Sequence, residues 1–170
     1  MGEHWTRRRL LVASGGALAI GSAGCLGGPA GEESSAASDW DVEQALPVET
    51  VEQYNSPGCS CCDGYAEYLR ENVTGTVSDT VAEEITALKR DFGVPQALRS
   101  CHTAVIDDYV VEGHVPVAAI STLLDDSPSI DGIALPGMPT GSPGMGGQKQ
   151  EKLTVRTFTD RTPGGVIGEF

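Results

Sequence analysis

Tyr54-Asn55-Ser56-Pro57-Gly58-Cys59-Ser60-Cys61-Cys62-Asp63-Gly64-Tyr65 is the stretch on which the fold reading turns. Before it, Pro47 to Tyr54 alternates as a strand does, and Asn55-Ser56-Pro57-Gly58 carries the residues of a turn. After it, Tyr65, Tyr68 and Leu69 recur at three- and four-residue spacing, so Cys61 to about Asn72 reads as a helix. Three thiols therefore fall between a first strand and the N-terminus of a first helix. Unpaired backbone N–H groups and the helix dipole favour thiolates there.

Outward from that turn, the β-branched run Thr76 to Val81 reads as a strand. Ala82 to Phe92 reads as a second helix, with Ile85, Leu88 and Phe92 on one face and Gly93 as its stop. His102 to Ile106 and Tyr109 to Glu112 read as strands joined by Asp107-Asp108, and Pro116 opens a helix running through Leu124. Ile133-Ala134-Leu135 is a brief apolar run, Pro136 to Gly147 a Gly/Pro loop, and Leu153 to Phe158 a strand. Asp160 to Gly165 reads as a turn, with Val166-Ile167 as a short return. The order β-α-β-α-β-β-α predicts an α/β, thioredoxin-like single domain over residues 45–170, with a Cys-rich turn at the start of its first helix.

Composition narrows the function. The chain has 170 residues, 24 acidic against 11 basic, a net charge of −13. That balance argues against nucleic acid, whose binding rests on Lys and Arg neutralising phosphates. With 22 Gly and 10 Pro a coiled coil is a poor fit, and a 39% hydrophobic fraction argues against full disorder. Five Cys are too few for a dense disulfide scaffold at this length.

The N-terminus reads as an address. Arg7-Arg8-Arg9-Leu10-Leu11 precedes a Gly/Ala-rich apolar run too short and weak to span a membrane, a pattern of twin-arginine export. Ser22-Ala23-Gly24-Cys25 has the form of a lipobox, so residues 1–24 are expected to be removed and Cys25 lipidated. Residues 25–44 read as a flexible acidic, Gly/Ser-rich tether. The domain is then expected outside the cytoplasm, anchored on the outer face of the cell membrane. Loss of residues 1–24 deepens the net charge to −15. The remaining acids are scattered, which predicts a solvated surface suited to high salt and a salt-loving source.

Four segments carry the candidate chemistry. Cys59-Ser60-Cys61-Cys62 packs three thiols into four residues, enough for a disulfide or for a soft metal such as Cu(I) or Zn(II). Ser100-Cys101-His102 starts the third strand, which a thioredoxin-like layout places beside the Cys turn. His114, in Gly113-His114-Val115-Pro116, lies between a strand end and a helix start, a candidate ligand or ligand support. Met138 and Met145 sit in the Gly/Pro loop, where neither helical nor strand spacing explains them as core; thioether sulfur suits Cu(I), and the loop also reads as a lid or docking surface. Cys, His and Met together favour copper, with zinc as the alternative. Asn72-Val73-Thr74 is a glycosylation sequon at a helix end.

The stretch from Tyr54 through Gly146 resembles the CopG-type copper-resistance proteins, a predicted metal-binding family. The matching motifs are Cys59-Ser60-Cys61-Cys62 with Gly64; Gly93-Val94-Pro95; Leu98-Arg99-Ser100-Cys101-His102-Thr103-Ala104; Val111-Glu112-Gly113-His114-Val115-Pro116; and Pro136-Gly137-Met138-Pro139 with Gly141-Ser142-Pro143-Gly144-Met145. Ser60 stands where Gly is usual, and Asp107-Asp108 where Asp-Gly is usual. The resemblance implies a thioredoxin-like fold, export and copper handling. It places metal-binding Cys at Cys59, Cys61, Cys62 and Cys101, accompanied by His102 and His114.

The expected function is an exported copper-binding protein of copper resistance or homeostasis, binding Cu(I) through Cys and His. Whether it also cycles copper as an oxidoreductase is open. A thiol–disulfide oxidoreductase and a structural zinc-binding interaction module are the alternatives. Expected partners are copper ions, another exported copper-handling protein, and the membrane through Cys25.

Overall fold

β1 (Thr50–Asn55) runs into the Cys-rich turn, and α1 (Ser60–Asn72) leaves it. The computed structural model describes Trp40, Val42 and residues 44–170, so the export signal, Cys25 and most of the tether lie outside the described residues. The elements that follow are β2 (Thr76–Val81), α2 (Ile85–Asp91), a single 3₁₀ turn (Gln96–Leu98), β3 (His102–Ile106), β4 (Tyr109–Glu112), α3 (Val117–Asp126), β5 (Gly132–Ala134), β6 (Thr154–Thr159) and β7 (Thr162–Glu169). They form a mixed α/β unit with one seven-stranded sheet in the order β2-β1-β3-β4-β5-β6-β7. β2 is parallel to β1 and β5 to β4, each pair joined through a helix, and the other pairings are antiparallel.

Alternation along the strands divides the interior in two. Val51, Ala104, Ile106, Val111, Ile133 and Val155 point to one face, where they pack with Tyr65 and Leu69 of α1 and Ile120 and Leu123 of α3. Val110, Ala134 and Phe158 point to the other face, against Val94 and Leu98 with Phe92 beside them. The Cys turn and α1 thus belong to the first face, and the segment from α2 to the 3₁₀ turn covers the second.

Several boundaries differ from the sequence reading, each for a local reason. α2 starts at Ile85 instead of Ala82, because the Ala82 N–H still bonds Asn55 O (2.9 Å) and keeps the chain on the strand ends. Its buried residue is Lys89, while Ile85, Leu88 and Phe92 are only half-buried. β7 is eight residues long, because the turn is Asp160-Arg161 alone, both at positive φ (49° and 61°). Pro163, Gly164 and Gly165, which read as turn residues, lie within β7, and the edge position tolerates them. Trp40, placed in the tether by composition, is buried and joins the core. Asn72 of the sequon is buried too, its amide Nδ2 donating to Tyr68 O (2.8 Å). A glycan there would require that contact to open.

Candidate metal centre

Cys59 is the N-cap of α1, in extended backbone conformation and without a side-chain cap. It is joined to Cys62 by a disulfide, while Cys61 and Cys101 are free thiols. Cys61 Sγ lies 3.4 Å from Cys59 Sγ and 3.8 Å from Cys101 Sγ. Antiparallel pairing sets Asn55 of β1 opposite His102 of β3, and this brings residue 101 back to the turn that follows β1. Ser56 secures the juxtaposition: its N–H and its hydroxyl both donate to Cys101 O, at 3.1 and 2.5 Å.

Behind the sulfurs lie two fully buried imidazoles. His102 Nδ1 and His114 Nε2 are each 3.5 Å from Cys101 Sγ. The two rings meet edge to face with centroids 4.8 Å apart, and both pack on Tyr65, at 4.6 Å for His102 and 5.2 Å for His114. Tyr65 is itself fixed by its hydroxyl, which donates to Val115 O (2.8 Å). The backbone before His114 is tight: a Cβ at Gly113 would sit 2.8 Å from Leu135 O, and Gly113 has a φ of +81°.

The His114 tautomer follows from its partner. Nδ1 is 2.7 Å from Pro143 O, and a carbonyl only accepts, so Nδ1 carries the proton and Nε2 keeps its lone pair toward Cys101. Burial pulls the pKa of both imidazoles down, His102 well below the usual histidine range, with the charges of His114 and Lys89 acting in the same direction on His102. Burial, and then Cys61 beside it, push the Cys101 thiol up to about 12. In the metal-free protein Cys101 and the two imidazoles are therefore neutral donors. His102 Nε2 and the nearby Gln53 Oε1 are buried without a hydrogen-bond partner.

Two overlapping groups of metal-capable atoms result. One is Cys59, Cys61, Cys62 and Cys101; the other is Cys101, His102 and His114; within each, the ligand atoms lie within 4.8 Å of one another. Cys101 belongs to both, so the expected Cys and His residues form one continuous centre. A hollow of about 300 Å³ opens at Cys59, lined by Asn55, Ser56, Asp63 and Val81 among others. The loop with the methionines closes another side, Pro143 through its hydrogen bond to His114 and Gly144 through packing on α1. A Cβ at Gly64 would lie 2.8 Å from Gly144 O. Met145 follows that contact and is half-buried; Met138 is 38% exposed, with a φ of +47°.

On the opposite face of the sheet, sequence reasoning missed a buried ion pair. Lys89 Nζ donates to Glu112 Oε1 (2.7 Å), Thr103 Oγ1 (2.8 Å) and His102 O (2.9 Å). Glu112 also accepts from Ser100 N (2.5 Å), Ser100 Oγ (3.0 Å) and Thr103 Oγ1 (2.6 Å). Burial lowers the Lys89 pKa, opposed by the Glu112 charge. This network holds the backbone on both sides of Cys101 and His102. One signal was available, an acid ending the apolar strand Tyr109-Val110-Val111-Glu112, since a buried carboxylate needs a partner.

Comparison with known proteins adds two kinds of likeness. A family described as a protein of unknown function, DUF411, matches residues 98–145. Two solved structures of a copper resistance protein, CopG in forms 1 and 2, superpose with TM-scores of 0.66 and 0.65 at 37% identity. They cover 72% and 73% of this chain and 98% of their own. No curated protein matches the chain.

Proposed function

Because this chain belongs to the family of the copper resistance protein CopG, we propose that it is an exported, lipid-anchored protein of thioredoxin-like fold that binds Cu(I) in copper resistance. The observation that carries the reading is the convergence of Cys59, Cys61, Cys62 and Cys101 with His102 and His114 in one centre. The donor set suits a soft cation: thiolates and neutral imidazoles, with no carboxylate among them. Lowered histidine pKa values leave both imidazoles unprotonated at neutral pH, and the His114 tautomer aims its free nitrogen at the sulfurs.

Copper is the cargo in this reading, and the protein's residues do the rest. Cys61 and Cys101 lose their protons on loading, so binding releases acid and tightens as pH rises. Cys59 and Cys62 offer thiolates when an external dithiol reduces their disulfide by thiol–disulfide exchange, giving up two electrons and becoming a disulfide itself, which enlarges the donor set from two sulfurs to four. The hollow at Cys59, with Asn55, Ser56 and Asp63 on its wall, provides an entry for the ion. Met138 and Met145 are further candidate donors on the covering loop.

Metal analysis of protein expressed in copper-replete medium tests the reading, with EPR in both redox states. Copper is expected in wild type, EPR-silent as Cu(I), and absent from Cys59→Ser/Cys61→Ser/Cys62→Ser. Full copper stoichiometry in the triple variant refutes it, and zinc in place of copper favours a structural zinc module. The Cys59–Cys62 disulfide at a helix N-terminus supports one second reading, a thiol–disulfide oxidoreductase. Insulin reduction at a thioredoxin-like rate would favour it. Anchoring is tested by lipid labelling of wild type and Cys25→Ala.

A further inference from the structure

Trp40 is the first described residue, and it is buried although the residues around it read as linker. Its indole N–H donates to Gly141 O at 2.7 Å, across 101 residues of sequence. The Lys149 ammonium lies 4.2 Å from the ring centroid, so the same indole meets the middle of the Gly/Pro segment and a residue just beyond its end. Tyr68 of α1 in turn donates its hydroxyl to Trp40 O (3.4 Å).

Two residues beyond Gly141, Pro143 O accepts the proton of His114 Nδ1. Between these two points the chain is a chain of short turns: Ser142 N bonds Pro139 O (3.1 Å), Met145 N bonds Ser142 O (3.0 Å), and Gly141 N bonds Gly146 O (3.0 Å). A segment bonded in this way moves as a unit. Displacing Gly141 O therefore displaces Pro143 O, the shorter of the two polar contacts of the His114 ring and the one that holds the Nδ1 proton.

We propose that Trp40 is a positioning residue of the copper centre, holding the 141–143 segment so that Pro143 O fixes His114 with Nε2 free toward Cys101. The inference rests on the copper reading of the centre. It makes the final residues of the linker part of the site's supporting structure. Outer hydrogen-bond partners of a ligating histidine commonly matter ten- to hundred-fold for metal affinity; one neutral hydrogen bond further out is worth about five-fold.

The test uses Trp40→Phe, which keeps an aromatic ring in the core but removes the indole donor together with part of the ring, in wild-type and His114→Gln backgrounds. Cu(I) affinity is measured by competition with a chromophoric chelator. The expected result is an affinity loss of about five-fold in the wild-type background and none beyond error with His114→Gln. An equal loss in both backgrounds, or none in either, overturns the proposal. ¹⁵N shifts of the His114 ring in metal-free protein give an independent readout: a single Nδ1–H tautomer in wild type, mixed tautomers in Trp40→Phe. An unchanged tautomer also overturns it. If wild type binds no copper, the copper reading fails, while the ring shifts still decide the Trp40–His114 coupling.

Discussion

The start of β3 presents opposite chemistry on the two faces of one sheet. On the α1 face, Cys101 and His102 are neutral donors in a centre that leaves His102 Nε2 and Gln53 Oε1 without partners. On the α2 face, Lys89 and Glu112 form a buried ion pair, and each is surrounded by hydrogen bonds. The backbone of residues 100–103 belongs to both. The contrast separates two uses of buried polarity: a saturated network fixes geometry, whereas an unsaturated one keeps valence in reserve for a guest.

The largest effect should come from breaking the saturated face. Lys89→Met leaves Glu112 as an unpaired buried carboxylate and should cost about 3–5 kcal/mol of stability in urea unfolding. Lys89→Met/Glu112→Leu should not recover wild-type stability, because Ser100 N–H and Thr103 Oγ1 lose their acceptor. Full recovery would show that the pair contributes charge balance only, without positioning β3.

The complementary change is Cys101→Ser on the unsaturated face. It should abolish the step that joins the two ligand groups and reduce bound copper by ten-fold or more by metal analysis. Metal-free stability should shift by less than about 1 kcal/mol, since the thiol makes only long contacts. A large loss of metal-free stability would erase the distinction between the faces.

Acid should discriminate them more gently. Folded His102 and His114 have lowered pKa values, so below about pH 6.5 the unfolded chain takes up protons that the native state does not. Stability present above that pH is then lost as pH falls, by at most about 1.4 kcal/mol per pH unit for each histidine. Thermal melts of metal-free wild type and His114→Gln between pH 7 and 5 check this, with a shallower slope expected in the variant.

Local pattern made some of this legible. The β3–β4 hairpin follows alternation and a two-residue turn, and its strand limits match the reading of the sequence. The Cys and His of the centre were visible because their residue types have few other uses at that density. Lys89 was not, because a lysine in an amphipathic helix ordinarily faces water, and only the tertiary position of Glu112 draws it inward. β7 reads as shorter in the sequence because Pro163-Gly164-Gly165 carries turn chemistry, which an edge strand overrides. Trp40 was hidden by its surroundings: composition describes a segment, whereas one indole can dock on its own. The Cys59–Cys62 bond was one of two outcomes that the spacing allowed.

The tolerance of β7 for proline and glycine has a consequence for the protein's life among its neighbours. An open sheet ends in strands whose outward N–H and C=O groups can recruit another chain. Pro163 removes one donor from the outer strand, and register shifts at Val155, Arg156 and Phe158 interrupt the regular β6–β7 ladder, as irregularities that blunt an edge do. The residues that disguised the strand in the sequence also make it a poor template for aggregation.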